Sequence, residues 1–297
     1  MATLPSKNYI GVNNNHLFSV IIPTYHRNDL LAKCLDCLAP GVQTLPADQY
    51  EVIVTDDGSQ TTAEEMIRQQ YPWVKWVAGP CKGPAANRNN GAKHAKGKWL
   101  VFTDDDCVPT DQWLEAYVEA IITDIYVYEG QTTCNAGIRS PLEHAPINLT
   151  GGYFWSCNLI IDIQLFEKLK GFDENFPYPH LEDVEFRDRI KALDQQAIFV
   201  ERAIVDHPPR IAPWGNKLAN YHESDIYYWF CKKNEPISQR KLIITIIKYR
   251  IRAIAKHRLS SHTFKALFST LIEIIYVFFK FNLWKEKLKK VPKNLAK

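Results

Sequence analysis

Short, strongly β-branched runs recur through the first hundred residues of this 297-residue chain, with helix-length segments between them. Phe18-Ser19-Val20-Ile21-Ile22-Pro23 leads into a helical pattern that ends near Ala39, with Asp29 as its expected N-cap. Glu51-Val52-Ile53-Val54-Thr55, residues 74–78 and Trp99-Leu100-Val101-Phe102 repeat the alternation, and a helix is expected over residues 85–95. Continuous apolar runs bounded by Pro, Gly or Asp are strands buried on both faces. Strands alternating with helices predict βαβ units and a mostly parallel sheet. Such sheets bind ligands beyond the carboxyl ends of their strands. Three polar clusters fall on that edge: Pro23-Thr24-Tyr25, Asp56-Asp57 and Asp104-Asp105-Asp106.

Three consecutive carboxylates repel one another unless a cation lies among them. Hard oxygen ligands suit Mg²⁺ or Mn²⁺, ions that commonly hold a diphosphate. An acidic helix start is the alternative, since Pro109 and Asp111 follow and carboxylates complement a helix N-terminus. Cys34 and Cys37 form a C-x-x-C. They share a helical spacing with Leu30, Leu31, Leu35 and Leu38, so they read as small buried hydrophobes rather than a redox pair. Without a charged-then-apolar leader at the N-terminus, the expected location is cytoplasmic and reducing. Charge divides unevenly. Residues 1–231 hold 19 Lys and Arg against 30 Asp and Glu, a net of −11, while residues 232–297 hold 17 against 3, a net of +14. A basic tail on an acidic body calls for an anionic partner.

The order and spacing of V-I-I-P-T-Y, V-I-V-T-D-D-G-S and N-R-N-N-G-A-K-H-A-K-G-K-W-L-V-F-T-D-D-D resemble family 2 glycosyltransferases of the GT-A fold, over about residues 17–210. That resemblance implies a Rossmann-like, mostly parallel α/β sheet flanked by helices, and transfer of a sugar from a nucleotide-diphosphate sugar, with a UDP-sugar the leading expectation. Pro23, Thr24 and Tyr25 would border the base, and Asp56 or Asp57 would accept a hydrogen bond from base or ribose. Arg88 would reach the base or a phosphate, for which a planar guanidinium is suited. Asp104 and Asp106 would form an Asp-x-Asp metal site, Asp106 as the direct ligand and Asp104 nearer the ribose, with Asp105 between them and, like Asp104, against the nucleotide sugar. His207, at the end of an expected strand, corresponds to a histidine that binds the metal or the diphosphate in some GT-A enzymes, and neutral imidazole suits Mn²⁺. Gly91 would let its helix pack closely on the sheet.

The same resemblance places donor sugar and acceptor against Trp155, Ser156 and Asn158, where aromatic faces suit sugar C–H surfaces and hydroxyl or amide groups suit sugar hydroxyls. A buried strand with Trp155 in the core is the plainer reading. In Glu182-Asp183, which opens a helix, the family pattern gives Asp183 as general base and Glu182 as its orienting partner. A base opposite the leaving diphosphate implies single displacement with inversion. Beyond this helix two short strands are expected, residues 197–200 and 203–205.

The chain then divides into an N-terminal lead-in over residues 1–16, a catalytic body over 17–231 and a basic helical extension over 232–297. In the extension, residues 264–284 are strongly apolar but carry Lys265, Glu273 and Lys280. That argues against a clean span and for lying in the bilayer interface. The expected site is the inner face of the cytoplasmic membrane, peripherally bound, and a helical hairpin packed on the body is the alternative. The helices are too apolar for a nucleic-acid partner, so none is expected; the acceptor is expected to be a glycan, lipid-linked or otherwise. A nucleotidyltransferase would need a Gly-rich triphosphate loop after the first strand, and Pro23-Thr24-Tyr25-His26 is not one. A catalytically silent nucleotide-sugar-binding or scaffold protein would have little need of so many acidic residues.

Overall fold

The computed structural model describes residues 16–289, so nearly all of the expected lead-in lies outside the described residues. Ten strands form among the described residues: β1 (Phe18–Thr24), β2 (Tyr50–Asp56), β3 (Val74–Ala78), β4 (Trp99–Phe102), β5 (Val108–Pro109), β6 (Val127–Thr133), β7 (Glu143–His144), β8 (Leu159–Asp162), β9 (Ala197–Asp206) and β10 (Arg210–Ile211). Eight of them make one sheet in the order β3-β2-β1-β4-β8-β6-β9-β5, and β7 with β10 makes a small antiparallel ribbon. The four strands read most clearly from sequence pair in parallel. Beyond β4 the sheet becomes mixed: β8 runs antiparallel to both β4 and β6, and β6 is parallel to β9. The two strands expected at residues 197–200 and 203–205 are one strand, β9, whose register against β6 shifts at Gly130/Gln131. A bulge there breaks the apolar pattern at Glu201 and Arg202 without ending the strand.

Helices α1 (Asn28–Leu38), α2 (Glu64–Gln70) and α4 (Trp113–Ala120) alternate with the strands along the chain, as do α3 (Pro84–Ala92), α5 (Ile163–Lys168) and α6 (Glu182–Ala192). Two separate apolar clusters result. One joins Leu31, Leu35, Trp113 and Tyr117 to alternate residues of β1 and β2; the other joins Leu165, Phe166, Phe186 and Ile190 to Ile21, Ile53 and Phe102. Side chains of a strand alternate between faces, so two layers of helix need strands apolar throughout, as β1 and β4 are. Cys34 lies in the first cluster, and the seven cysteines are free thiols among the described residues. α1 starts one residue before the expected cap, with Arg27 at the capping position and Asp29 in the first turn. Gly91 faces β1 so closely that a Cβ would stand 2.5 Å from Ile21 Cγ2, so α3 lies directly on the sheet.

The C-terminal segment folds back onto the body. α7 (Gly215–Ala219), α8 (His222–Tyr227), α9 (Gln239–Ala255) and the 29-residue α10 (Ser261–Lys289) share a third cluster built on Ile226, Tyr227, Leu242, Ile246, Val277, Phe281 and Trp284. Packing therefore crosses the change of composition near residue 232. α10 has two unlike faces. Its inward face carries Glu273, fully buried, which accepts from Arg250 Nε and Nη2 (3.0 and 2.9 Å) and bonds His222 Nε2 (2.8 Å). Its outward face exposes Phe264, Leu267, Phe268, Leu271, Ile275, Phe278, Phe279 and Leu283, each between 47% and 75% accessible. Of the three charges that interrupt the apolar stretch in sequence, Glu273 thus points into the protein, whereas Lys265 is exposed and Lys280 half-buried.

Candidate active site

The carboxyl ends of β1, β2 and β4 open onto a cavity of about 1060 Å³. Pro23, Thr24, Tyr25, Asp57, Arg88 and Asp104 line it from the sheet side. Trp155, Ser156, Glu182, Asp183 and His207 line it from the second half of the body. Most of the residues singled out from sequence therefore share one cavity, although up to 184 positions separate them in the chain. Tyr221 and Tyr249 complete the wall, so the C-terminal helices form part of the site.

Each carboxylate of the triplet has its own cation. Asp104 accepts from Arg88 Nη2 at 2.7 Å, and Arg88 Nη1 lies 3.6 Å from Glu182, so one guanidinium links the triplet to the Glu182-Asp183 pair. Burial alone would raise the Asp104 carboxyl, but Arg88, Arg210 and His207 outweigh it and hold it well below the usual carboxylate range. Asp105, wholly buried, accepts from the Thr24 hydroxyl (2.8 Å) and pairs with Arg27 Nη2 (2.9 Å); burial still pushes it up to about 7. Asp106 receives both Nε and Nη2 of Arg210, with Arg27 Nη1 at 3.4 Å. These two guanidiniums line the cavity in front of Asp106, which does not itself line it.

Asp106, Cys107 and His207 bring potential ligand atoms within 4.8 Å of one another. Cys107 offers a soft sulfur, which suits a hard cation such as Mn²⁺ or Mg²⁺ less well than the carboxylate and the imidazole do. His207 behaves differently. Its Nδ1 lies 2.9 Å from the Pro208 carbonyl oxygen, a bond that requires the proton on Nδ1, while buried Nε2 has no hydrogen-bond partner and stands 3.5 Å from Asp106 Oδ1. Two lone-pair atoms facing each other inside a protein call for a cation between them. The donor set of carboxylates with one imidazole therefore fits Mn²⁺ or Mg²⁺, the latter less well because of the nitrogen.

Opposite the triplet, Leu181 adopts a left-handed conformation (φ 70°) that turns the chain into α6 and presents Glu182 and Asp183 in its first turn. A non-glycine residue in this region is strained and has to be held by its surroundings. The hold is visible. Ser224 Oγ donates to the Tyr178 carbonyl (2.9 Å) and accepts from the Tyr178 N–H (3.0 Å), and His180 Nε2 lies 3.5 Å from Asp225, itself 2.7 Å from His222 Nδ1. Asp183 Oδ2 accepts from the Ser156 N–H (3.3 Å), leaving Oδ1 buried and without a protein partner. Burial raises the Asp183 carboxyl, with Arg88 pulling the other way; burial and the neighbouring Asp183 charge push Glu182 up to about 7.

Three expectations need correction. Asp105 does not line the cavity where a nucleotide sugar would lie: it is wholly buried, with its oxygens taken by the Thr24 hydroxyl and Arg27. Asn158 does not face the cavity: its Oδ1 accepts from Trp113 Nε1 (2.8 Å) and Tyr117 OH (2.6 Å), and its Nδ2 donates to the carbonyls of Gln131 and Ala203. An amide with all its capacity engaged in the core has none left for a sugar. Asp56, of the two carboxylates left open at β2, accepts from the N–H groups of Gly58 (2.8 Å) and Ala63 (2.6 Å) and from Trp76 Nε1 (3.3 Å), bracing the turn. Asp57 lines the cavity, with one oxygen held by Cys81 N and the other by Gly83 N. Arg27 and Arg210 were not singled out from the sequence. An isolated arginine carries no local signal, and their partners lie 79 and 104 residues away.

A family model described as "Glycosyl transferase family 2" matches residues 19–150. Glycosyltransferase AglE of Haloferax volcanii is 32% identical over 213 residues, 67% of this chain and 69% of that protein. Validoxylamine A glucosyltransferase of Streptomyces hygroscopicus subsp. limoneus is 26% identical over 220 residues, covering 59% of this chain and 48% of that enzyme. Among solved structures, S. aureus TarS 1–349 aligns over 90% of this chain and 91% of that one, with a TM-score of 0.54 and 18% identity; it is also known with UDP and with UDP-GlcNAc. Mannosyltransferase PcManGT from Pyrobaculum calidifontis, in complex with GDP-Man and Mn²⁺, aligns over 91% of this chain and 75% of that one, with a TM-score of 0.51 and 16% identity. At such identities the likeness establishes the fold, which is GT-A.

Proposed function

The chain belongs to glycosyltransferase family 2, and on that premise we propose that this glycosyltransferase takes its sugar from a nucleotide-diphosphate sugar, a UDP-sugar first, and passes it with inversion to an acceptor hydroxyl. The observation that carries the reading is the unpartnered Asp183 Oδ1, buried in the cavity that also holds Arg88 and the Asp104 end of the triplet. An alcohol is a weak nucleophile until a base at hydrogen-bond distance accepts its proton. Asp183 has the free oxygen for that, and Arg88 holds Glu182 beside it. One base facing the diphosphate side of the cavity suits a single displacement. Pro23, Thr24, Tyr25 and Asp57 border the base and ribose in this reading, and Trp155 and Ser156 border the sugars. Asp104, Asp106 and His207 would hold a divalent ion, Mn²⁺ or Mg²⁺, which supplies positive charge against the departing diphosphate. TarS with UDP-GlcNAc and PcManGT with GDP-Man and Mn²⁺ support a donor of this class.

The test is a panel of nucleotide sugars with and without Mn²⁺, read by thermal unfolding and donor turnover. A matching donor at a hundred times its Kd stabilises by about 2.7 kcal/mol, a rise in Tm of roughly 5–10 °C that chelation abolishes. If no nucleotide sugar raises Tm in Mn²⁺ and none is turned over, the donor assignment fails.

The acceptor is a glycan carried at a membrane surface, and α9 with α10 rests on that surface. The outward stripe of α10 is apolar over its length, and α9 adds exposed Arg240, Lys241, Lys248 and Arg252, with exposed Lys256 at its C-cap, a pairing that suits anionic lipid. The stripe reaches the cavity: Trp214 contacts Phe268 (ring centroids 6.2 Å apart), and only exposed Ile211 and half-buried Ala212 and Pro213 separate Trp214 from Arg210 at the site. Phe268→Glu combined with Phe279→Glu is expected to weaken sedimentation with phosphatidylglycerol vesicles at least about tenfold, each side chain giving up roughly 1.5–3 kcal/mol of burial. Equal sedimentation of the double variant and the parent protein would count against this docking.

A further inference from the structure

Asp106 and His207 face one another as ligands would, yet both oxygens of Asp106 are engaged by Arg210 through Nε and Nη2, and Arg210 Nη2 also lies 3.7 Å from Asp104. A guanidinium forked onto a carboxylate and a divalent ion on the same carboxylate are like charges competing for one pair of lone-pair sets. We propose that Arg210 is a tethered counter-cation of Asp106 that metal and diphosphate displace together, passing from the carboxylate to the phosphates. Metal binding is therefore weak until a nucleotide diphosphate arrives. The inference rests on the metal and donor reading above and assigns Arg210 a role in it.

Three features of the site carry it. The first is position. Arg210 lies on β10 of the small ribbon, directly after Pro208-Pro209 and outside the main sheet, so its side chain can move without breaking a long strand. Its side chain is 36% accessible while Asp106 is 2% accessible, so the arginine is the mobile partner and the carboxylate the fixed one. The second is charge. A metal ion alone adds two positive charges beside Arg27 and Arg210, whereas a metal ion with the diphosphate of a nucleotide sugar adds none. In the second case Arg210 has phosphate oxygens to pair with, and its planar fork fits them as it fits a carboxylate. The third is the contrast with the other two arginines. Arg88 is buried between Asp104 and Glu182, and Arg27 makes its shorter bond to Asp105. Arg210 alone among the three takes both oxygens of Asp106.

Mn²⁺ affinity, measured by titration calorimetry and by electron paramagnetic resonance of free Mn²⁺, tests this on the full chain with UDP as the probe. The parent protein is expected to bind Mn²⁺ weakly alone and about tenfold or more tightly with saturating UDP, a coupling that UDP affinity must mirror. In Arg210→Gln, Mn²⁺ alone is expected to bind about tenfold or more tightly than to the parent protein, and the UDP dependence to shrink. A gain in affinity is not what a damaged fold produces. Arg210→Lys, which keeps the charge, is expected to restore weak Mn²⁺ binding without nucleotide. Equal or weaker Mn²⁺ binding by Arg210→Gln, with the UDP dependence intact in both proteins, overturns the exchange and leaves the metal site standing. No Mn²⁺ binding by either protein, with or without UDP, overturns both.

Discussion

Asp183→Asn is expected to lower turnover about 10²–10⁴-fold, the range that general-base catalysis supplies. The substitution keeps size and shape, so the Ser156 N–H can still bond the side-chain carbonyl, but a neutral amide cannot accept a hydroxyl proton. Nucleotide and Mn²⁺ affinities should stay within about twofold, because neither Arg88–Asp104 nor Asp106 depends on Asp183 for its bonds. The pH profile gives a second check. Burial raises the Asp183 carboxyl and pushes Glu182 up to about 7, so the pair keeps a proton at pH values where an exposed carboxylate, near 4, has lost its own. Only the deprotonated base works. Turnover of the parent enzyme should therefore fall on acidification well before an ordinary aspartate would protonate, and the residual activity of Asp183→Asn should lack that limb. A variant retaining more than a tenth of the parent rate would rule Asp183 out as the base.

Glu273→Ala is expected to cost about 3 kcal/mol, the low end of the range for breaking a buried ion pair, since Arg250 keeps some contact with solvent. The loss removes the shared partner of Arg250 and His222 from a site where Glu273 is wholly buried. Differential scanning calorimetry should show a fall in Tm of roughly 6–12 °C, and Glu273→Gln, which keeps the shape, a smaller one. The pH dependence has a definite sign. Burial alone would depress His222, but Asp225 and Glu273 outweigh it and push it up to about 9, above its unfolded value near 6.5. The stabilisation from the charged imidazole is complete below about pH 6.5 and is lost as pH rises through 9. Removing Glu273 should flatten this decline; an unchanged slope and Tm would mean that the network carries no stability.

What could be read from the sequence was local. β1 and β4 stand out because a strand covered on both sides has to be apolar throughout, whereas β3, at the sheet edge, carries Lys75 and is only partly covered; the carboxylates at the strand ends follow from the topology. The turn Asp56-Asp57-Gly58 showed two carboxylates of equal promise. Only the fold separates them, by directing Asp56 to the backbone of residues 58 and 63 and Asp57 to the cavity. Asn158 was misplaced for a related reason: the side chains that saturate it, Trp113 and Tyr117, are more than forty positions away. Arg27 and Arg210 escaped notice because an arginine acquires meaning from what it faces. The tail was read as either interfacial or packed on the body. α10 has a face suited to each role, since a helix can bury one stripe and expose another.

The inward stripe of α10 makes the tail a poor candidate for trimming. Glu273 grips His222, His222 grips Asp225, and Asp225 reaches His180, three positions before Asp183. A shortened chain ending before α9 would lose the far end of that tether, and with it the support of the loop that leads to Asp183, the proposed base. A water-soluble form for crystallisation or screening is better sought by recolouring the outward stripe with Glu and Lys, leaving the whole polypeptide in place. For the same reason, a foreign segment grafted in place of residues 239–289 is expected to leave the loop before Asp183 without that support.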